Sequence, residues 1–449
     1  MLIRSAPQSR GFWPAIPFMA ALAVQGCAGG VSSHDVAGYD GLLAQGNYSG
    51  AASFAVGAGK IAPDGNSEHL LWSLDAGAAM AYAGDSAHTV PVFDHAEDMM
   101  KRRELGSSGD AGQYRAKTYD GVMVNAYKAM ASMKDGQGDL ARTELLRADD
   151  RQKRAEQDFQ AEVAAIQSRE SEAKDVDIRG ALQSAQSDPA YRQAASDMAN
   201  YGAYKPFINP FATYLTGLYF LNTADGNREK ARNAFQRVRG MSPSPLLNAD
   251  YDLAAKPGKF APKTWVIFEN GQGSTLTQYA ISFPVPIVGR RSGVSVATVA
   301  LPRLQENAAA AQGLMVGNGG QRTTVVGNFD YVMRSEFQRR YPSILRAAVL
   351  EAVLKVVLLN VAAQEKSGVA LLVATVASNI STADVRSWTA LPKDFQVARI
   401  ETPKDGVVRL RTDSGAELGS ATVPTDVSSI VWVKEVRPGS PPAIQVLRF

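Results

Sequence analysis

Thr264-Trp265-Val266-Ile267-Phe268-Glu269-Asn270-Gly271 decides the fold. Five consecutive branched or aromatic residues read as a β-strand, and Asn270-Gly271 supplies the positive φ that a tight turn needs where the strand ends. The run stands at a change of composition, marked by Ser242-Pro243-Ser244-Pro245 and then Pro257 and Pro262. Downstream, residues 276–283, 294–301 and 323–329 are again rich in branched and aromatic side chains, separated by Gly or Pro turns. A helical block follows from Tyr331 to about Val376, broken near Ser367-Gly368. Strands return at 395–400, 407–411, 429–436 and 443–449. These signals predict a β-rich, sandwich-like domain over 257–449 with a helical hairpin inserted at about 331–376.

Upstream, residues 34–247 are alanine-rich and helical in pattern. Four segments place Gly with Asn or Asp just ahead of a small residue: Gly46-Asn47, Gly84-Asp85, Gly136-Gln137-Gly138-Asp139 and Gly226-Asn227. They resemble the inter-helix turn of tetratricopeptide repeats, where glycine ends one helix in a left-handed conformation. In the last copy Phe211, Tyr214, Leu218 and Leu221 share one helical face. Ala231, Ala234, Phe235 and Val238 share the next, so the two faces are expected to bury each other. Arg151 to Lys174 is a charged run that reads as a long, solvated helix projecting from or bridging the array. The fold class expected is therefore α+β and multidomain: a TPR-like helical array followed by the β-rich domain.

Of 449 residues, 45% are hydrophobic and 20% charged, which is ample for packed cores. The net charge of +3 comes from interspersed groups and not from a basic block, so nucleic acid is not an expected partner. The single cysteine excludes an internal disulfide and any multi-cysteine metal site. Its surroundings explain it. Arg4 and Arg10 precede an apolar stretch from Phe12 to Val24, and Val24-Gln25-Gly26-Cys27 resembles a bacterial lipobox, with the thiol as lipid acceptor. Residues 1–26 then form a signal peptide and 27–33 a lipidated tether. No cofactor is expected beyond the covalent lipid (diacylglycerol and palmitate) on Cys27. Two or more acyl chains make a stable anchor, and no later stretch has the ~20 apolar residues of a spanning helix. Ala28, where aspartate would favour inner-membrane retention, points to the outer membrane and a periplasm-facing position.

Catalytic machinery is not evident. The four histidines, His34, His69, His88 and His95, precede residue 96, and no Gly-x-Ser-x-Gly elbow is present. His88 and His95 are two helical turns apart with Pro91 between them, a weak metal pattern beside the plainer reading of exposed histidines. Gly317-Asn318-Gly319-Gly320 lacks the Lys-Ser/Thr of a phosphate loop and reads as a hairpin turn. The candidate functional surface comprises Glu269, Asn270, Arg386 and Trp388. If residues 384–388 form a strand, Arg386 and Trp388 share a face and can stack, either as a structural clamp or for ligand recognition.

Val266-Ile267-Phe268-Glu269-Asn270-Gly271, Asn209-Pro210-Phe211 and Ala383-Asp384-Val385-Arg386-Ser387-Trp388 with Leu391-Pro392-Lys393 resemble signature segments of an uncharacterised family of proteobacterial tetratricopeptide-containing lipoproteins. The family has a Pro and Lys soon after Glu-Asn-Gly, where this chain has Gln272-Gly273-Ser274-Thr275. The resemblance implies the architecture and the cell envelope, because members tend to be encoded near lipoprotein activators of peptidoglycan synthases. It implies no chemistry. The expected function is a membrane-anchored scaffold or assembly factor that binds a protein partner through the helical array. The alternative is a protein that binds or processes peptidoglycan or polysaccharide. An open groove across the repeats favours the first, and a pocket lined with carboxylates or exposed aromatics favours the second.

Overall fold

Helices begin where the sequence supplies a cap. Asn47, Asn209, Asn227 and Ser244 each accept a hydrogen bond from the backbone N–H three residues on, at 3.0–3.2 Å, and Pro210 and Pro245 open their helices with a preset φ. The structure, a computed structural model, describes residues 33–104, 114–172, 177–199, 204–223, 227–287, 293–364 and 383–449. Cys27, its leader and nearly all of its tether lie outside them. The helical half runs α1 (Ser33–Ala44), α2 (Tyr48–Ala58), α3 (Leu70–Ala83), α4 (Ser86–Glu104), α5 (Thr118–Lys134), α6 (Gly138–Glu172), α7 (Ile178–Ser187), α8 (Pro189–Ala199), α9 (Pro210–Asn222), α10 (Arg228–Met241) and α11 (Pro245–Ala255). Then come β1 (Lys263–Asn270), β2 (Thr275–Ile287), β3 (Gly293–Gln305), β4 (Leu314–Val316), β5 (Gln321–Arg322) and β6 (Thr324–Asn328). After α12 (Phe329–Gln364) the chain closes with β7 (Asp394–Glu401), β8 (Val407–Thr412), β9 (Glu417–Thr422), β10 (Ser429–Glu435) and β11 (Ala443–Arg448).

Left-handed glycines follow α1, α3 and α5 at Gly46 (φ 68°), Gly84 (φ 79°) and Gly136 (φ 71°). In the third copy the turn glycine is Gly136, while Gly138 starts the next helix. Gly226 lies outside the described residues. Helices α3 and α5 are buried on every side, as their lack of a polar face requires. The 35-residue α6 carries the charged run and bridges to α12. Glu156, Glu162 and Glu170 pair with Arg339, Arg340 and Arg346 at 2.5, 2.5 and 2.8 Å. Two of those guanidinium groups lie over the ring of Phe159, at 4.7 and 5.4 Å.

Five strands form one mixed sheet in the order β11-β10-β1-β7-β6, with β1 and β10 parallel and the other pairs antiparallel. A second sheet has the order β5-β4-β8-β9, and β2-β3 is a separate long hairpin. Side-chain alternation along β1 explains the architecture. Trp265 and Ile267 join the helical core, with Trp432 and Leu447 beside them. Val266 and Phe268 pack on Leu314, Val408 and Leu410 of the second sheet. Both faces of β1 are thus covered, and an uninterrupted apolar run is what such a strand needs. The β2-β3 hairpin lies on α12 and α7, with Ile281, Phe283 and Val299 against Leu345, Val349 and Val353.

The arrangement is mixed α/β. The expected division into a helical domain and a separate domain over 257–449 does not hold, because residues Val31–Phe449 form one compact unit. The physical reason lies in the last helix pair and its neighbours. Phe211 of α9 stacks on Phe395 of β7 with ring centres 3.6 Å apart, so the stripe Phe211, Tyr214, Leu218 and Leu221 is buried as expected but shares its core with the sheet. Ala231, Ala234, Phe235 and Val238 of α10 are buried too. The helical insertion is one continuous helix as far as Gln364, with Pro342 inside it; the expected break near Ser367-Gly368 lies outside the described residues. Residues 383–388 form no strand.

Candidate functional site

Alternation on β1 sends Glu269 and Asn270 to opposite faces, and the two do different things. Glu269, with no solvent exposure, points into the helical layer. Its Oε2 accepts hydrogen bonds from the hydroxyls of Tyr82 on α3 and Tyr127 on α5, each at 3.0 Å, and its Oε1 accepts from Trp432 Nε1 at 2.9 Å. The two tyrosine oxygens are 2.8 Å apart. Lys434, the Cα partner of Glu269 on β10, donates to the carbonyl of Gly271 at 2.7 Å and lies over the Tyr82 ring. Burial pushes the Glu269 carboxyl up, with Lys434 and the three donors pulling the other way. Burial brings Lys434 down to about 8 against the opposing pull of Glu269 and Asp394. Two helices and two strands converge here, and both carboxylate oxygens of Glu269 are hydrogen-bonded.

Asn270 faces the second sheet. Its Oδ1 accepts from the backbone N–H groups of Ala310 and Ala311 at 2.9 and 3.1 Å, and its Nδ2 donates to the Ala311 carbonyl at 2.9 Å and to Asp394. This side chain therefore fixes the loop after β3. Gly271 completes the turn with φ 66°, and a Cβ there would lie 2.9 Å from the Ala308 carbonyl. Asn270 pairs in register with Glu435, the last residue of β10.

Beyond these strand ends opens a cleft of about 570 Å³. Its walls are the loop that Asn270 holds, the β8-β9 turn and the β10-β11 loop with Pro438, Pro441 and Pro442. Three carboxylates line it, those of Asp413, Glu417 and Glu435, and no lining residue is Lys or Arg. Arg322 reaches Asp413 from beside the cleft, at 3.4 Å. Glu435 is 1% exposed. Its Oε1 accepts from the backbone N–H of Gly439 at 2.9 Å, while its buried Oε2 has no partner. Burial raises this carboxyl, opposed only by the Gly439 bond. Asp75 and Asp120 also leave one buried oxygen unbonded, but neither lines the cleft. Both are raised by burial, Asp120 to about 7, the response of carboxyls enclosed within the protein.

Three of the four candidate surface residues are thus interior. Glu269, Asn270 and Trp388 are at most 2% exposed, because helices cover one face of the sheet and a second sheet covers the other. Trp388 packs edge-on against Phe93 and Tyr127, at 5.9 and 5.8 Å, so it extends the Glu269 cluster. Arg386 turns to Asp384 at 2.7 Å; the expected shared face with Trp388 does not arise, since the segment is not a strand. Cys27 is outside the described residues. His88 lies at the surface beside Asp85, at 2.8 Å. Among the described residues no group of three or more His, Cys, Asp or Glu is placed to hold a metal ion.

The chain matches no family model, no curated protein and no solved structure.

Glu435 was not among the candidates. The signal for it lay in Ser429-Ile430-Val431-Trp432-Val433-Lys434-Glu435, an apolar strand that ends in two consecutive charges. When both faces of a sheet are covered, adjacent charges on one strand are buried on opposite sides, and each then needs its own partner.

Proposed function

We propose that this chain is a lipid-anchored protein of the bacterial envelope, acylated at Cys27 and facing the periplasm from the outer membrane, that works by binding and not by catalysis. The cleft floored by Glu435 is its binding site. The observation that carries this reading is an unpartnered, buried carboxylate oxygen at the margin of an open concavity. Buried polar groups are almost always hydrogen-bonded, and of the unbonded buried carboxylate oxygens among the described residues only that of Glu435 belongs to a residue lining the cleft.

A scaffold that offers a groove along its helices is the reading that the expected TPR-like array suggests. We read the turns at Gly46, Gly84 and Gly136 as tetratricopeptide-type turns and the two facing sheets as a sandwich, within the lipoprotein family that the sequence resembles. The inner side of those helices, however, packs on the chain's own sheet through Trp265, Ile267, Trp432 and Phe395. That favours recognition at the cleft over recognition in a helical groove. Among the described residues no helix is long and apolar enough to cross a membrane, which leaves Cys27 as the anchor in this reading.

In-cell photo-crosslinking tests both parts. A crosslinking residue at Ser414, on the exposed β8-β9 turn, should capture a partner or ligand in the outer-membrane fraction, whereas one at Arg232, exposed on α10, should not. In a Cys27→Ser background the chain should leave that fraction. Capture from α10 alone would return the function to the helices, and membrane retention of Cys27→Ser would remove the anchor.

A further inference from the structure

We infer that the cleft at the ends of β1 and β10 takes a cationic amine carried on an alkyl stem, a lysine side chain of a polypeptide or a free polyamine. The inference rests on reading the cleft as a binding site and adds the chemistry of its occupant.

Three observations combine. The cleft is lined by the carboxylates of Asp413, Glu417 and Glu435 and by no cationic side chain; Arg322, outside the lining, reaches Asp413 at 3.4 Å. The whole chain carries a net charge of +3, so this negative lining is local and not the average of the surface. At the floor, Glu435 has one oxygen bonded to Gly439 N–H and the other bonded to nothing. A buried carboxylate oxygen in that state accepts most strongly from a charged N–H donor, which restores both the hydrogen bond and the charge balance lost on burial. The remaining walls select the stem. Pro438, Pro441, Pro442 and Leu418 present rigid apolar surface beside the carboxylates, suited to methylene groups that lead to a charged head.

The loop that carries these prolines is held in place from behind. The hydroxyl of Tyr48 on α2 lies 3.1 Å from the carbonyl of Pro441 and equally far from that of Lys434. At Gly46, a Cβ would come within 2.5 Å of the Pro441 carbonyl. The opposite wall is set by Asn270 through Ala310 and Ala311. With two of the three walls fixed by these contacts, binding has mainly the β8-β9 turn left to order.

The test uses the full chain extracted in detergent and titrated by calorimetry. Hexalysine and spermidine are the two probes, and hexalysine amide acetylated on every amine is the uncharged control. Binding of hexalysine alone assigns the site to polypeptide lysines, and binding of spermidine assigns it to free polyamines. In either case Glu435→Gln, which keeps an acceptor for Gly439 N–H, should weaken binding about 10-fold or more. Glu417→Gln at the exposed rim should weaken it only a few-fold. Asp150→Asn, on the distant exposed surface of α6, should change nothing. The inference is overturned if neither probe binds, if the acetylated control binds equally, if Glu435→Gln binds as well as the native chain, or if calcium ion occupies the site instead. Capture from Ser414 without binding of either amine would show that the occupant class is wrong while the cleft remains a binding site. Absence of capture as well would remove both.

Discussion

Glu269 and Glu435 sit one register position apart on adjacent parallel strands, and both are removed from water. They differ in who surrounds them. Glu269 receives two tyrosine hydroxyls and an indole N–H from three separate elements, with a lysine beside it. Glu435 receives one backbone N–H and has a free oxygen at the edge of an open cleft. Burial alone therefore does not separate a structural carboxylate from a functional one. What separates them is whether the fold supplies all the donors.

The largest effect is expected from removing the saturated carboxylate. Glu269→Ala leaves the buried Trp432 N–H without an acceptor and Lys434 without its counter-charge, while the Tyr82 hydroxyl keeps the Ala390 carbonyl, and loss of one partner from a buried charged group costs about 3–5 kcal/mol. Because the cluster joins α3 and α5 to β1 and β10, the expected result is a cooperative loss of stability in chemical denaturation, felt by helices and sheet together. A change below about 1 kcal/mol would mean that the cluster is not the weld between the layers.

The sequence makes this weld visible only in part. Trp265-Val266-Ile267-Phe268 is apolar without alternation, the pattern of a strand covered on both faces, and β1, β2, β3, β7, β8, β10 and β11 all fall where branched and aromatic residues cluster. The strand β9 escapes notice because Glu417-Leu418-Gly419-Ser420-Ala421-Thr422 has weak strand propensity, and Gly419 (φ 133°) coincides with a slip in pairing. The association of helices with sheet also escapes, since an apolar stripe such as Phe211 to Leu221 says that something is buried but not against what. Glu269 and Asn270 stand out in the sequence as polar residues closing a strand. Their burial is not legible there, because it depends on layers contributed by residues 40 to 187 positions away.

A second carboxylate, supplied with cations instead of neutral donors, sharpens the contrast through pH. Glu97 on α4 meets Lys128 at 2.5 Å and Arg151 at 2.7 Å, with Asn125 also donating to it. Burial pushes it up, but the two cations outweigh burial and bring it from 4.5 to about 2. A carboxyl depressed in the folded state contributes stability that is present above its unfolded value and lost as pH falls toward the folded one. At about 1.4 kcal/mol per tenfold change in proton affinity, that contribution is about 3 kcal/mol. Glu97→Gln should therefore lose about 3 kcal/mol at pH 7 and show a flatter decline than the native chain between pH 4.5 and pH 2. Glu269 is raised, so its sign is opposite: the folded state holds the proton longer, and stability falls as pH rises above the ordinary carboxylate range. Identical acid limbs for native and Glu97→Gln chains would show that the Lys128 and Arg151 contacts do not form in solution.

The smallest expected effect belongs to Glu435→Gln, and its smallness is what the comparison turns on. The amide oxygen keeps the bond from Gly439 N–H, so the β10-β11 loop should stay closed. Removing the charge relieves a buried, unpaired carboxylate, while the new amide donors meet no acceptor; these two terms oppose each other, each of order 1–3 kcal/mol. The stability of Glu435→Gln should then lie within about 1 kcal/mol of the native chain in the absence of ligand, in contrast to the loss at Glu269. Burial raises Glu435, so the relief is felt where the native carboxyl is ionised and disappears under acid conditions, where both side chains are neutral. The difference between the two denaturation midpoints should shift in favour of the variant as pH rises from acid to neutral. A loss of several kcal/mol at neutral pH would show instead that the Glu435 charge holds the loop of Pro438, Pro441 and Pro442 in place, and would make both buried carboxylates structural.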